Sequence, residues 1–490
     1  MGKQILISDA SNKARRVHTV MLGDQDSKAR KVVKAFIGGN DNLARCVHSP
    51  EIEAYGIIDP LASPRARMAA VTIGDYAFFG GGSNADTRAK IFGSPYHDCF
   101  YTAYSKHLTK LTSNHGIGKY APEGYDLAAT TLGNLAFFGG GRWHPDYSRL
   151  ENAGDTVSYS SSKEVKVYDS SLTRVAVLEL SKNRHALAAT TVGNYALFAG
   201  GMNCIRNLNA EDSNSTYSYE YLTTVDAFGT DLVRLSAPAL STGRGYLAAA
   251  KVIGHALFAG GMHREDFNSS RAPYDTNFLA PTTKAVDVYN EALTKVDVSQ
   301  LYTKTCCMTA VSTEDRAIFF GGLYHVSGSP INGVDISTNN NMLYSSLYNV
   351  HRYSNSLTYE ELDWPGSGTN TGAPSGVGIG AAVVDKDGKE YVISAGGRDL
   401  SSEMPYSWNA SNYTNDYFYN SKSGVAIALA SSMGVTGDSL SDLSIARSYL
   451  AAAVAGDYAI FAGGGINEYS KNSDNKDEAT YSGVVEAYKI

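Results

Sequence analysis

One fifteen-residue motif recurs along the chain, and it limits the possible folds more than any other feature of the sequence. It reads "LAATTVGNYALFAGG" at residues 187–201 and "LAAAKVIGHALFAGG" at residues 247–261. Its seven copies start at Met68, Leu127, Leu187, Leu247, Met308, Gly380 and Leu450. The first five starts are 59, 60, 60 and 61 residues apart, so each copy marks one unit of a repeat architecture.

Each copy has the pattern of a β-hairpin. A strand of small residues meets a tight turn, such as Gly133-Asn134, Gly193-Asn194 or Asp387-Gly388, whose chemistry suits a positive φ. An apolar aromatic strand follows and ends in Gly-Gly. Because both strands are continuously apolar, we expect them to be buried on both faces.

Two further strands complete each unit. Third strands are predicted at residues 163–170, 223–230, 284–291 and 348–355, and a fourth strand is predicted at 293–301. Seven units of four antiparallel strands predict an all-β chain folded as a seven-bladed β-propeller, which hides its sheet edges by radial repetition.

The two ends of the propeller region predict how the ring closes. Residues 483–490 have the pattern of a third strand with no fourth strand after it. Residues 55–70 align without gaps to residues 295–310, where a fourth strand precedes a first strand. The N-terminal strand is therefore predicted to complete the last blade.

The repeats resemble a known family over residues 52–490. The Gly-Gly that ends the second strand, the aromatic residue of the third strand and the repeat length resemble the kelch repeat. The chain departs from that pattern in one respect, because the tryptophan of the fourth strand is absent and residues such as Val296 or Leu232 occupy its place. The resemblance therefore implies a kelch-like propeller with a more lightly packed core.

Residues 1–50 form a separate region, ahead of the propeller at 51–490. The element Ala-Arg-x-Val recurs every fifteen residues, at Ala14, Ala29 and Ala44, and it predicts a small β-meander. The phrase "ARKVVKAFIGG" followed by "ARCVH" resembles a short module of tail and baseplate-associated proteins from phages and prophages of Gram-positive bacteria. This resemblance implies an attachment module that contacts other virion or tail proteins. Its candidate residues are Arg15, Arg30, Lys34 and Arg45.

The length variation is concentrated on one face of the predicted ring. The connections from second to third strands are long and polar, at residues 141–163, 202–221, 262–284, 323–348, 398–424 and 466–483. The turns on the opposite side have only two to four residues. Loops on a rigid scaffold commonly carry binding, so this face is the expected site.

Two sets of side chains on this face are candidate ligand-binding residues. The first set precedes the first strands and comprises Arg65, Arg184, Arg244 and Arg447. These arginines could pair with nearby carbonyls and carboxylates, or could grip an acidic or hydroxylated ligand. The second set lies in the long loops and comprises Trp143, Tyr324, Tyr406, Trp408 and Tyr417. Their aromatic rings could pack the loops onto the blades or could stack on a sugar.

Composition and motifs argue against several classes of protein. A net charge of −7 and a pI near 5.9 argue against nucleic-acid binding. The sequence contains no run of eighteen apolar residues, so it predicts no membrane span. Residues 1–16 lack the apolar core of a signal peptide. The five cysteines show neither disulfide-framework nor zinc spacing, so no metal and no cofactor is expected. The sequence contains no recognised catalytic motif, so we do not expect an enzyme.

Together these observations predict a structural or receptor-binding protein of a phage tail or tailocin. It would be assembled in the bacterial cytoplasm, reside in the virion as a homo-oligomer, and present the long loops to a bacterial surface glycan or protein. Two alternatives remain open. One is a glycan-processing propeller enzyme, and the other is a purely structural virion propeller whose loops contact sister subunits.

Overall fold

The structure is a computed structural model that describes a defined part of the chain. The described residues are 21–23, 29–31, 35–38, 44–48, 53–83, 101–112, 124–142, 156–158, 161–207, 216–263, 268–269, 282–326, 343–346, 349–363, 376–398, 421–433, 440–471 and 477–489. The chain divides into two compact units, of which one comprises Met1–Glu53 with Ile490 and the other comprises Ala54–Lys489.

The described part of the smaller unit contains two β-hairpins. Met21–Gly23 pairs with Ala29–Lys31, and Ala35–Gly38 pairs with Ala44–His48, both in antiparallel register. The Ala-Arg elements at Ala29 and Ala44 therefore begin the second strand of each hairpin.

Seven of the antiparallel sheets described in the larger unit are here called blades one to seven in chain order. The first strands are Ala69–Ile73, Ala128–Leu132, Ala188–Val192, Ala248–Val252, Thr309–Ser312, Val377–Lys386 and Ala451–Ala455. The second strands are Tyr76–Gly80, Leu135–Gly139, Tyr195–Ala199, His255–Ala259, Arg316–Phe320, Lys389–Arg398 and Tyr458–Ala462. The predicted hairpins are confirmed, and the turn residues Gly133, Gly193, Asp387 and Gly388 all have a positive φ.

Third and fourth strands extend each blade outward. The third strands are Tyr101–Ser105, Ser162–Asp169, Val225–Gly229, Val286–Asn290, Asn349–Ser354, Val425–Leu429 and Val485–Lys489. The fourth strands of blades one to five are Lys110–Thr112, Arg174–Arg184, Arg234–Ala237, Lys295–Val296 and Tyr359–Asp363. Blade six has three strands among its described residues, which is one fewer than the sequence predicts.

The ring is closed, as the sequence predicts. The outer strand of blade seven is Glu53–Ile58, which lies beside the third strand of that blade. The first strands contact one another in an unbroken cycle in which blade seven meets blade one. At this junction the Thr72 hydroxyl donates to the Val454 carbonyl at 3.0 Å and accepts from the Val454 N–H at 2.9 Å. The described residues of this unit form a seven-bladed β-propeller.

Aromatic residues of the third strands fill the spaces between blades. Buried rings occur at Tyr104, Tyr168, Phe228, Tyr289, Tyr353 and Tyr488, whereas blade six has Ala428 at this position. The Tyr289 hydroxyl donates to the Pro238 carbonyl at 2.8 Å, and the Tyr353 hydroxyl donates to the Ser299 carbonyl at 2.8 Å. These bonds tie each ring to the connection from the preceding blade, which lets a buried tyrosine satisfy its hydroxyl.

Leu232 does not lie in a fourth strand, so this part of the comparison with the kelch pattern is wrong. It lies in the turn between Val225–Gly229 and Arg234–Ala237, with φ of +64°. The Leu232 N–H donates to the Gly229 carbonyl at 3.0 Å, which closes the turn. Val296, in contrast, lies in the fourth strand of blade four. Within the described residues no helix is both long and apolar enough to cross a membrane.

Candidate functional site

The connections from second to third strands, here called the elaborated face, form sheets of their own. One four-stranded sheet, here called the loop sheet, contains Thr156–Ser158 from blade two, Met202–Asn207 and Thr216–Tyr221 from blade three, and Asn268–Ser269 from blade four. Blade five carries a hairpin of Leu323–Val326 and Leu343–Ser346. In blade seven, Gly465–Lys471 pairs with Asp477–Tyr481. Loops of neighbouring blades are therefore joined by main-chain hydrogen bonds.

The elaborated face begins where each blade's incoming and outgoing segments meet. In all blades except blade six, the residue three before the first strand pairs with the residue that follows Gly-Gly. These pairs include Ala66 with Ser83, Tyr125 with Arg142, His185 with Met202, Gly245 with Met262, and Cys306 with Leu323. Each long loop therefore starts beside the entry into its own blade.

A ring of seven residues, here called the mouth ring, lines this end of the propeller axis. It consists of Arg67, Asp126, Ala186, Tyr246, Cys307, Gly378 and Tyr449, each with φ between +52° and +70°. Gly378 is the second residue of the first strand of blade six, and each of the other six lies two residues before the first strand of its blade. Backbone hydrogen bonds join adjacent members. The Ala186 N–H donates to Asp126 at 2.8 Å, Tyr246 donates to Ala186 at 2.8 Å, and Cys307 donates to Tyr246 at 2.9 Å. Tyr449 donates to Gly378 at 2.8 Å, and Arg67 donates to Tyr449 at 3.0 Å.

The side chains of the mouth ring form a polar and aromatic cluster. Arg67 lies 3.6 Å from the Asp126 carboxylate, and the Tyr246 hydroxyl donates to that carboxylate at 3.3 Å. The guanidinium groups of Arg67 and Arg398 lie 4.8 Å and 5.4 Å from the centroid of the Tyr449 ring. Burial, together with Asp126, raises the pKa of Tyr246 well above its ordinary value, so this hydroxyl remains a donor at neutral pH.

The mouth ring was not predicted from the sequence. Its seven members have no residue type in common, and only one of them is glycine. They share a positive φ, which residues other than glycine rarely adopt, and the geometry of the ring requires this backbone conformation. The repeat register could have located these positions, but it could not have assigned them a positive φ.

A buried cluster of three hydrogen-bonded residues lies behind the mouth ring. The Ser161 hydroxyl is 2.9 Å from Nδ1 of His185, and the Cys204 N–H donates to the same hydroxyl at 3.4 Å. Burial and the nearby Arg142 keep the pKa of His185 well below its ordinary value, so the imidazole is neutral. Ser161, His185 and Cys204 are all buried, so their visible role is to support the base of the loop sheet.

The four candidate arginines lie beneath the elaborated face, and three of them form buried ion pairs. Arg184, Arg244 and Arg447 have fully buried side chains. Arg244 Nη1 lies 2.8 Å from Asp287 Oδ2, and Arg447 Nη2 lies 2.6 Å from Glu486 Oε2. Arg184 makes the same pair with Asp226 in blade three at 2.5 Å.

Backbone carbonyl oxygens accept further hydrogen bonds from these guanidinium groups. Arg184 donates to the Thr224 carbonyl at 2.9 Å, Arg244 to the Phe258 carbonyl at 3.1 Å, and Arg447 to the Val484 carbonyl at 2.7 Å. Arg65 donates to the carbonyls of Gly81 at 2.9 Å and Ser63 at 3.2 Å.

A serine three residues before each paired arginine holds the carboxylate from the other side. The Ser181 N–H and hydroxyl both donate to Asp226 at 3.0 Å, and those of Ser241 donate to Asp287 at 3.0 Å. The Ser444 N–H donates to Glu486 at 2.7 Å. The repeated Ser-x-x-Arg pattern was visible in the sequence and could have indicated these buried sites, but the acidic partner lies 39–43 residues further on.

The seven blades differ at these two positions in a correlated way. The first position is two residues before the mouth-ring member, and the second is the third-strand residue two before the position of the buried rings. By blade, the two residues are Arg65/Thr102, Gly124/Lys166, Arg184/Asp226, Arg244/Asp287, Thr305/His351, Gly376/Ala426 and Arg447/Glu486. The carboxylate occurs only in blades that also carry the arginine. Because an unpaired buried charge is costly, the carboxylate requires the arginine. Arg65 occurs without a carboxylate at this position and donates to backbone carbonyls instead. Ligand binding by these arginines stays a prediction, and a ligand could reach them only if the covering chain moved.

Blade five offers a pH test of this buried position, because His351 takes the place of the carboxylate. His351 is fully buried, its Nδ1 lies 2.9 Å from the Tyr359 hydroxyl, and burial lowers its pKa to about 4. In the unfolded chain a histidine titrates near 6.5. As the pH falls from about 6.5 to 4, the unfolded state binds the proton first, so the folded state loses up to roughly 3 kcal/mol of stability.

We expect His351→Gln to reduce this acid sensitivity, because glutamine does not titrate and can still bond to Tyr359. The measurement is the melting temperature of both proteins between pH 7 and pH 4. The melting temperature of the variant should fall less over this range. Parallel curves for the two proteins would contradict the assignment.

The remaining candidates from the sequence cannot be placed in a common site. Trp143, Tyr406, Trp408 and Tyr417 lie outside the described residues, as do Arg15 and Lys34. Tyr324 lies in the strand Leu323–Val326, and Arg30 and Arg45 lie in the strands Ala29–Lys31 and Ala44–His48, but their side chains are outside the description. Their binding roles stay predictions.

The fold and this face define the class of protein as a seven-bladed β-propeller whose loops are elaborated on one side. No family model matches the chain, and no curated protein matches its sequence. Among solved structures, the chain is similar to one titled "Structure of YjhT", with 11% sequence identity and a TM-score of 0.45. That match covers 77% of this chain and 98% of the other. It assigns no role to any residue here.

Proposed function

We propose that this protein is a receptor-binding protein of a phage tail or tailocin, and that its kelch-like propeller presents the elaborated face to a bacterial surface glycan or protein. The main support is the loop sheet formed by blades two, three and four. Main-chain hydrogen bonds between loops of different blades create one continuous surface. A preorganised surface loses less conformational entropy on binding than separate loops would lose.

The composition of the mouth also favours binding over hydrolysis. The mouth ring itself carries one carboxylate, that of Asp126, which contacts Arg67 and Tyr246. Glycoside hydrolysis commonly needs two carboxylates on either side of the scissile bond. Aromatic rings and guanidinium groups, in contrast, suit stacking and hydrogen bonding to sugars or polar protein surfaces.

The region 1–50 completes the proposal. Its resemblance to modules of phage and prophage tail proteins suggests that it attaches the propeller to other virion proteins. Repeated attachment would display several copies together as a homo-oligomer, and several weak contacts would then add up to strong binding.

The test uses the full chain and purified cell walls from a panel of Gram-positive bacteria. One variant replaces residues 208–215, which connect the paired strands Met202–Asn207 and Thr216–Tyr221 along the chain, by a short glycine-serine linker. Because these two strands belong to the surface assigned to the receptor, we expect wall binding to fall by about tenfold or more. Melting temperature confirms that the variant is folded.

The matched control lies on the opposite face. Lys106 and Asp75 form an exposed ion pair at 2.8 Å beside the turn at Gly74-Asp75, so the double variant Lys106→Ala/Asp75→Ala should bind walls like the native protein. Equal binding by the loop variant would count against the elaborated face. A native protein that binds no wall but associates with itself through these loops would favour the structural alternative.

A further inference from the structure

Two consecutive cysteines lie at the junction between blades four and five. Cys306 is fully buried, and its backbone forms two hydrogen bonds with Leu323, each of 2.9 Å. Cys307 is partly exposed and belongs to the mouth ring, with φ of +57°. Its N–H donates to the Tyr246 carbonyl of blade four at 2.9 Å. The pair therefore joins the loop of blade five to the mouth-ring residue of blade four.

The two sulfur atoms are neighbours in space as well as in sequence. Both thiols are free, and the S–H of Cys306 is hydrogen-bonded to Cys307. The buried residues packed around them are apolar, namely Met262, Leu323 and Val377. An apolar setting that holds two thiols in contact leaves each of them as the nearest reaction partner of the other.

We propose that Cys306 and Cys307 form a vicinal dithiol that disulfide oxidants convert into a disulfide between adjacent residues. In the first step the Cys307 thiolate attacks an oxidant RSSR, forms the mixed disulfide Cys307–S–S–R and releases one RS⁻ that takes up a proton. In the second step the Cys306 sulfur attacks the Cys307 sulfur and expels the second RSH. The two cysteines lose two protons and two electrons in total, and the oxidant gains them as two RSH.

The exposure of the two thiols sets the order of these steps. The hydrogen bond with Cys307, together with burial, raises the pKa of Cys306 well above its ordinary value. Since the thiolate is the attacking form, the partly exposed Cys307 meets the oxidant first and Cys306 acts as the resolving thiol.

The product would be strained and therefore easily reduced. Consecutive Cα atoms lie about 3.8 Å apart, whereas disulfides usually span about 4.4–6.8 Å between Cα atoms. Disulfide strain raises the reduction potential and makes the bond labile. Because hydrogen bonds to Leu323 and Tyr246 fix both residues, closing the disulfide has to change the backbone at this junction.

The chain provides a convenient readout and an internal control thiol. Trypsin cleaves after Lys304 and Arg316, so one peptide, 305–316, contains Cys306 and Cys307 and no other cysteine. Peptide 185–206 contains only Cys204, which is fully buried and whose burial raises its pKa to about 11.

The experiment treats the folded full chain with oxidised glutathione, blocks the remaining thiols with N-ethylmaleimide in denaturant, and analyses tryptic peptides by mass spectrometry. We expect the fraction of peptide 305–316 that carries two maleimides to fall by about tenfold, replaced by a peptide that has lost two hydrogens and carries none. Mild reduction by dithiothreitol should restore two maleimides, and peptide 185–206 should carry one maleimide throughout.

The variant Cys306→Ser should stop the reaction at the mixed disulfide, with glutathione retained on Cys307. The wild-type result decides the proposal even if this variant fails to fold. Two maleimides on peptide 305–316 after oxidation, a persistent glutathione adduct in the wild type, or a disulfide to any other cysteine would each overturn it.

Discussion

Replacing Asp287 by alanine should destabilise the propeller by about 3–5 kcal/mol, because it removes one half of a buried ion pair. Asp287 accepts hydrogen bonds from Arg244 at 2.8 Å and from the Ser241 N–H and hydroxyl at 3.0 Å. Burial opposes its charged form, but Arg244 and Lys295 hold the pKa of Asp287 below its ordinary value. Without this carboxylate the fully buried Arg244 would lose its counterion.

A second variant distinguishes two causes of the stability lost by Asp287→Ala, namely the unpaired charge and the loss of packing. The double variant Arg244→Met/Asp287→Leu removes both charges and fills the space with apolar atoms. Replacing a whole buried pair in this way is often close to neutral, so the double variant should recover most of the stability lost by Asp287→Ala. A double variant as unstable as the single one would show that charge compensation is not the cause.

The matched control is an ion pair of blade seven that lies on the surface. Lys489 and Asp457 lie 2.7 Å apart, and both side chains are substantially exposed. Asp457→Ala should therefore cost less than about 1 kcal/mol. Urea denaturation followed by fluorescence measures all three variants. A cost for Asp287→Ala no greater than that for Asp457→Ala would contradict the prediction.

The sequence predicted the parts of the fold that depend on local pattern. The copies of the fifteen-residue motif predicted both inner strands and their turns, because apolar runs and Gly-Asn turns act within a few residues. The closing strand Glu53–Ile58 was predicted as well, since residues 55–70 repeat the register of residues 295–310. These are features that a repeat alignment can transfer from one blade to the next.

The site was less predictable because it depends on contacts between distant residues. Arg244 was identified, but its partner Asp287 could be assigned only after the third strand was placed beside the second. Asp126 and Tyr246 are 120 residues apart, in blades two and four, and meet because the blades bring their mouth-ring residues together. The loop sheet joins Thr156–Ser158 to Met202–Asn207, and nothing in either segment alone indicates the other.

Gly140→Ala should also cost the protein about 4 kcal/mol or more, because this first glycine of the Gly-Gly pair has both a restricted backbone and no space for a side chain. Its φ is +69°, and an added Cβ would lie 2.7 Å from the Arg184 carbonyl oxygen and 2.8 Å from Leu187 Cδ2. The Arg184 carbonyl cannot simply move away, since it accepts the Gly141 N–H at 3.0 Å and so joins blade two to the segment entering blade three.

Gly133→Ala is the matched control, because Gly133 precedes the same second strand that Gly140 follows. Its φ is +56°, but an added Cβ would meet no atom within 4 Å. This variant carries the backbone strain without the collision, so it should cost only roughly 1–2 kcal/mol. Urea denaturation of the two variants separates the cost of the backbone strain from the cost of the collision. Equal costs would mean that the backbone at Gly140 can shift, and that contact between blades two and three is not what requires glycine at this position.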